Sequence, residues 1–337
     1  MKTNEQSGSL NDESSGSVLS RRPRPWFLRF SLRFLMLSIT IACISFAIFL
    51  NRLERQKRMV ATIEKLGGSV RYDYQYIPYA GASYNVSRMK SWVPQYWQSQ
   101  LGIDFFHAVV DVKLSDTGEK PPLEEIARCL PRTTQLFVPG KYLDDESFKQ
   151  IGKMKCLKSL YVYQARQVTD KGIAHLAGLK DMTNLHITST KMTDKSFSVF
   201  GEMESLSVLF LYGNYITDEG IQQLSPLKAL VRLNVCGKPA DPDANRETVT
   251  NPITDSSLAI FSGLPSLTML EVRDTIINDL AIEKFLKEHP RFTVFQRHEA
   301  WATRERQEND PNWPLYENIR IRRATERERK KLQEDKG

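Results

Sequence analysis

The feature that most constrains this chain is a repeat with a period of about 24 residues. Six segments share one apolar–x–apolar frame: Leu136–Val138, Leu160–Val162, Leu185–Ile187, Leu209–Leu211, Leu233–Val235 and Leu270–Val272. Their leading positions are 24, 25, 24, 24 and 37 residues apart, the last step being one period plus a 13-residue insertion. Alternation of this kind buries one face of a short strand. Val110 and Val294 continue the series as an opening and a closing strand.

A second element recurs in phase. After each strand comes an apolar residue, usually Thr and always Asp: Val168-Thr169-Asp170, Met192-Thr193-Asp194, Ile216-Thr217-Asp218 and Ile253-Thr254-Asp255, with Leu143-Asp144-Asp145 and Ile277-Asn278-Asp279 as variants. Apolar residues fall three, six and usually nine places beyond each Asp, as in Ile173, Leu176 and Leu179, or Ile221, Leu224 and Leu227. Thr and Asp satisfy the orphan N–H groups of a helix start, and the spacing turns that helix's apolar stripe onto the strand. One such unit cannot bury its own core, so the units must stack. The expectation is an α/β solenoid of about eight strands.

The Leu-x-x-Leu-x-Leu frame, continued by Asp170-Lys171-Gly172-Ile173 and Asp218-Glu219-Gly220-Ile221, resembles a leucine-rich repeat over about residues 105–297. It is similar to the cysteine-containing subclass, which implies a right-handed horseshoe with a helical convex side. This repeat type usually has Asn or Cys at the fifth place after the first Leu; here that place holds Ala165, Thr190, Asn214 and Thr275. Thr and Asn bond neighbouring backbone along a stack. Ala165 cannot, so its longer turn must pair differently. A narrower resemblance, carried by Arg29–Leu35 and by Leu66–Tyr74, is to membrane-tethered leucine-rich repeat proteins of planctomycete bacteria.

Ahead of the repeats, residues 1–25 are polar and basic and read as a disordered tail. Residues 26–51 read as a transmembrane helix: Phe34–Leu50 carries no charge, Arg29 and Arg33 can snorkel, and Trp26 is placed as an interfacial aromatic. No small-x-small cleavage site follows the apolar run, so an uncleaved single-pass anchor in the cell membrane is expected. Five arginines precede the span and four cations follow it. That near tie leans toward a cytoplasmic N-terminus and an extracytoplasmic repeat domain.

Residues 52–106 read as a linker helix, closed by Gly67-Gly68, and an aromatic-rich N-terminal cap with a strand over Ser69–Tyr76. The repeat domain is assigned to 107–297 with an insertion at 237–252, and a charged tail to 298–337.

The net charge of +7 would suit nucleic acid, but its distribution argues otherwise. Residues 1–58 hold ten Lys/Arg against four Asp/Glu, 291–337 twelve against nine, and the body between them 25 against 27. Nucleic-acid binding is therefore not expected. The five histidines and four cysteines fall at no metal-ligand spacing, and neither a Gly-x-Ser-x-Gly elbow nor a phosphate-cradling Gly-rich loop is present. The chain is read as having no catalytic residues, metal or cofactor.

Repeat geometry places the remaining strand residues on the concave face. These are Phe137, Tyr161, Tyr163, His186, Phe210, Tyr212, Asn234, Glu271 and Arg273. An aromatic column flanked by polar groups is the composition of an interface. The expected function is non-covalent binding of a protein, peptide or glycan partner. The alternatives are a substrate-recruiting adaptor of the ubiquitin-ligase-receptor type and a structural component of an envelope assembly.

Overall fold

The computed structural model describes residues 32–75, 91–237 and 251–295. The chain forms a leucine-rich repeat solenoid. Nine strands make one sheet in chain order: β1 (Ser69–Tyr72), β2 (Val109–Lys113), β3 (Gln135–Pro139), β4 (Ser159–Tyr163), β5 (Asn184–Ile187), β6 (Val208–Phe210), β7 (Arg232–Asn234), β8 (Met269–Glu271) and β9 (Thr293–Phe295). From β2 to β9 the pairing is parallel. The helices are α1 (Leu32–Lys65), α2 (Gln95–Leu101), α3 (Leu123–Cys129), α4 (Asp145–Ile151), α5 (Asp170–Ala174), α6 (Phe197–Gly201), α7 (Asp218–Gln222), α8 (Ser257–Gly263) and α9 (Asp279–Glu288).

The register confirms the repeat. Leu136, Leu160, Leu185, Leu209, Leu233, Leu270 and Val294 stand side by side across β3–β9. The six leucines form one continuous buried core with the helix residues Phe148, Ile173, Phe197, Phe200, Ile221 and Phe261, and Val294 packs against it partly buried. The opening strand is shifted from the expected phase: Val112, not Val110, pairs with Leu136, one 24-residue step away. A ninth strand exceeds the expected count because β1 adds antiparallel to β2.

A polar ladder runs along the helix starts. The Asp145 carboxylate accepts the Thr169 N–H at 2.8 Å and its hydroxyl at 2.7 Å. Asp170 does the same for Thr193 (2.8 and 2.8 Å), Asp194 for Thr217 (3.1 and 2.6 Å) and Asp218 for Thr254 (3.0 and 2.6 Å). Asp255 accepts the Asn278 N–H at 2.7 Å. Each Thr also caps its own helix, accepting for instance from the Lys171, Lys195 and Glu219 N–H groups. The Thr-Asp pair thus caps one helix and anchors the next.

The third helical position is small for the same reason. A Cβ on Gly172 would collide with the Asp145 carboxylate, and one on Gly220 with that of Asp194. Where this place holds Ser, the hydroxyl joins the ladder: Ser196 donates to Asp170 and Ser257 to Asp218.

A second ladder runs along the strand exits. Asn214 Oδ1 accepts the N–H and the hydroxyl of Thr190, both at 2.7 Å, while its Nδ2 donates to the Ile187 and Leu211 carbonyls. Asn251 continues it across the inserted repeat, accepting the Ile216 N–H and donating to the Val235 carbonyl. At Ala165 the pairing does differ: Thr188 supplies the acceptors for the Gln164 and Ala165 N–H groups. Gln164 sits there at φ 60°.

The chain divides into two compact units at Leu50 and Asn51. In the first, α1 residues 33–50 are all exposed, and α1 is the one helix among the described residues long and apolar enough to cross a membrane. In the second, Met59, Val60 and Ile63 join the core. The strand expected over Ser69–Tyr76 ends at Tyr72. There the register to β2 slips, and the chain turns through a 3₁₀ segment at Asp73–Gln75, Gln75 accepting the Tyr72 N–H. Tyr76 lies outside the described residues, as do the disordered-tail assignment, most of the insertion (238–250) and the C-terminal tail.

Asp194→Ala orphans both Thr217 donors. It should lower unfolding free energy by roughly 1–3 kcal/mol, whereas Lys195→Ala next to it, on an exposed side chain, should change stability by less than about 0.5 kcal/mol. Urea unfolding of the two variants measures the difference.

Candidate functional site

The face of the sheet opposite the helices carries a central row of side chains, flanked by a second row that includes Ser159, Arg232 and Met269. Successive register partners in the central row are Lys113, Phe137, Tyr161, His186, Phe210, Asn234, Glu271 and Phe295. They face away from the core because they alternate with the buried Leu and Val positions.

The first half of the row is aromatic. Lys113 Nζ lies 5.5 Å from the Phe137 ring centroid. Phe137 stacks on Tyr161 at 5.5 Å and meets Tyr163 at 5.2 Å. Tyr161 meets His186 at 4.5 Å, and His186 lies parallel to Phe210 at 4.3 Å with 4° between the planes. The Arg232 guanidinium stands over the Phe210 ring, 5.2 Å from its centroid.

The second half is polar. Asn234 Nδ2 donates to Glu271 at 2.8 Å. The same carboxylate lies 3.3 Å from an Arg273 nitrogen and 3.8 Å from Arg232. Asn234 Oδ1 accepts the Cys236 N–H, and the Cys236 sulfur accepts the Arg273 N–H. Burial pushes the Cys236 thiol up to about 12, so it stays protonated.

All nine sequence-assigned binding residues therefore lie on one face, but they are not equally accessible. Phe137, Tyr161, Tyr163 and Tyr212 are half-buried, whereas His186, Phe210, Asn234, Glu271 and Arg273 are buried. Lys113, Arg232, Cys236 and Phe295 belong to the same surface and escaped the sequence assignment. The 24-residue step from Glu271 reaches Phe295, so that one was available from counting alone.

A separate polar cluster joins the two ends of the segment before β2. His107 Nδ1 lies 2.6 Å from Asp73 Oδ1, and its Nε2 lies 2.8 Å from Ser91 Oγ. This line has the connectivity of a proton relay, and its spacing in sequence gave no sign of it. Its setting is that of a fastening. The imidazole is 3% exposed and packs 4.4 Å from Tyr74, and Ser91 Oγ also accepts the Val93 N–H. Near it, Asp73, Arg132, Lys155, Cys156, Lys158 and Asp181 line an open cleft of about 440 Å³ with mixed charge. Among the described residues no group of three or more His, Cys, Asp or Glu side chains is arranged to hold a metal ion.

No family model matches the chain, and no curated protein matches it. Among solved structures it is similar to an internalin C2 from Listeria monocytogenes, at 21% identity over 58% of this chain and 74% of that one, with a TM-score of 0.43. A second internalin from that organism, inlF, is 17% identical over 57% of this chain and 59% of its own, with a TM-score of 0.31. The TLR13–ssRNA13 complex is 17% identical, covering 56% of this chain and 29% of that one, with a TM-score of 0.39. These likenesses are too distant to carry an argument about what the chain binds.

Burial, followed by the Arg232 charge, depresses the His186 imidazole to about 3. The unfolded chain, with an ordinary histidine near 6.5, binds a proton that the folded chain refuses. Stability is therefore full above pH 6.5 and falls on acidification from there toward pH 3, by about 1.4 kcal/mol per pH unit at its steepest. His186→Phe keeps the stack and removes the proton site. Unfolding free energies at pH 7 and pH 5 should differ less in that variant than in the wild type.

Proposed function

We propose that this chain is a membrane-anchored leucine-rich repeat protein that binds a protein, peptide or glycan partner non-covalently through the helix-free, concave face of its sheet. The observation that carries this reading is the continuous row from Lys113 to Glu271, in which six stacked or hydrogen-bonded side chains in register present aromatic area beside guanidinium and carboxylate groups. Tyr, Trp and Arg dominate interface hot spots because they cover area at little entropic cost and bring polar handles. The proposed binding residues are Phe137, Tyr161, Tyr163, His186, Phe210, Tyr212, Asn234, Glu271 and Arg273.

The exposed apolar stretch of α1 supports a single-pass anchor. The nearly balanced flanking cations lean toward an extracytoplasmic repeat domain. The slightly acidic body argues for a partner other than nucleic acid. The cysteine-containing repeat subclass and a planctomycete-type tethered architecture are part of this reading, as are the division into anchor, linker and cap, repeats and tail.

Replacing Tyr161, Phe210 and Tyr212 together with Ala should abolish capture of a crosslinked membrane partner while a cooperative unfolding transition remains. Capture that survives in a folded variant sinks the concave-face assignment. A reporter fused after Gly337 should be active only outside the cytoplasm, and cytoplasmic activity reverses the orientation.

A further inference from the structure

The aromatic residues ahead of the repeats do not all turn inward. Trp92, Tyr96, Trp97 and Leu101 are 77%, 65%, 51% and 37% exposed, the densest run of exposed large apolar side chains among the described residues outside α1. The Tyr96 and Trp97 rings meet at 5.4 Å, and Leu101 follows Trp97 by one turn on the same side of the helix. The helix that carries them, α2, buries none of its seven residues. That length is well below what holds as a helix in water alone, and no charged residue occurs from Ser91 to Ile103. Such a face calls for a cover.

The fastening of α2 says where the cover is. Lys57 Nζ donates to the Leu101 carbonyl at 3.2 Å. Gln56 Nε2 donates to Asp104 Oδ1 at 2.9 Å and to the His107 carbonyl at 3.0 Å. The Tyr72 hydroxyl donates to the same Asp104 oxygen at 3.1 Å. Lys57 stands six residues after Asn51, which opens the second compact unit and follows directly on the uncharged run Phe34–Leu50. Six residues of helix rise about 9 Å. The uncharged run spans about 26 Å, so a bilayer centred on it, with its headgroup layer, reaches roughly 7–9 Å past its end. The Leu101 end of α2 is thus fastened within a side chain's reach of the headgroups.

The side chains suit that layer. Trp and Tyr concentrate where hydrocarbon meets water, with the ring in the apolar zone and the N–H or O–H among headgroups. Arg52, Arg55, Lys57 and Arg58 are exposed on the neighbouring helix, against one carboxylate, Glu54, which pairs with Arg58 at 3.0 Å. That surplus of cations favours anionic lipid.

We propose that Trp92, Tyr96, Trp97 and Leu101 enter the headgroup layer of a bilayer containing anionic phospholipid, so that the folded unit itself, and not only the span, contacts lipid. The proposal rests on the single-pass anchor reading above and adds a contact outside the span.

The test uses the full chain carrying Trp26→Phe, Trp301→Phe and Trp313→Phe, which leaves Trp92 and Trp97 as its only tryptophans. It is reconstituted in phosphatidylglycerol–phosphatidylcholine vesicles with or without bromine on the acyl carbons nearest the headgroup. Bromine should quench the emission roughly two-fold or more, and vesicles of phosphatidylcholine alone should give less than about half of that quenching. Equal quenching in the two lipids overturns the choice of anionic headgroups. The reciprocal chain, Trp92→Phe with Trp97→Phe at two exposed sites, should lose at least roughly a third of the wild type's bromine-quenched emission; no loss overturns the proposal. Tryptophans reached by aqueous acrylamide and not by bromine stand in water, and those reached by neither lie under protein, a second copy included. Either result overturns the proposal. Alkaline carbonate extraction reads the anchor separately. A chain that stays in the membrane with unquenched tryptophans loses this surface and keeps the anchor, whereas a chain that is extracted loses the anchor and the proposal with it.

Discussion

The structure depends on the shared use of each Thr-Asp pair. Stacking apolar helix faces against a row of Leu residues supplies most of the burial, but the hydrophobic effect is non-directional and tolerates a slip of one residue. The Asp carboxylate does not. It accepts two donors from a single Thr on the next repeat, and that Thr is held by capping its own helix. Moving one repeat by a residue leaves a charged acceptor and an N–H unpaired in a partly buried groove, at a cost comparable to the stability of a whole repeat. Burial raises the carboxyl of Asp170 and of Asp218, and the Ser and Thr donors outweigh it and hold each below its ordinary value. These two carboxylates therefore stay ionised through neutral pH.

The ladder also explains how an insertion is tolerated. Thr254 bonds Asp218 across 36 residues with the same two contacts that other pairs make across 23 or 24. Asn251 meets the Val235 carbonyl as Asn214 meets that of Leu211, and its Oδ1 takes the Ile216 N–H, two residues beyond the place in phase with Thr190. With both ladders re-entered at Asn251 and Thr254, the extra residues leave and rejoin the stack without altering the register of β7 on β8.

The strands and helix starts were legible in the sequence because two periods, two in the strand and three to four in the helix, recur in fixed phase. Asn251 was not, since counting forward from Leu233 runs into the insertion. Counting back from Ile253 by two, the distance separating Asn214 from Ile216, finds it. Val110 was preferred to Val112 because both are apolar, and only pairing with Leu136 decides between them. The strand after Gly67-Gly68 reads longer in sequence than in space, because Tyr72, Tyr74 and Tyr76 keep the alternation while Asp73 turns the backbone to reach His107. Alternation tells which residues leave the core. It is silent on what lies over them, so a list drawn from it treats Tyr161 and Asn234 alike although one is half-buried and the other buried.

On the binding role proposed above, that difference bears on which partners the face would hold. At the Phe137–Tyr161–Tyr163 end, aromatic faces are reachable and adaptable to a broad apolar or sugar surface. At the Glu271 end, the carboxylate already balances parts of two guanidiniums and an amide. An acidic group approaching there gains from Arg232 and Arg273, but it must share them with Glu271. A basic group gains nothing, because the local cations outnumber the one carboxylate. Apolar area at one end and a charge preference at the other give the row a polarity, so an extended ligand lying across β3–β8 has one favourable direction, with its aromatic or apolar portion toward Phe137 and its acidic portion toward Arg273.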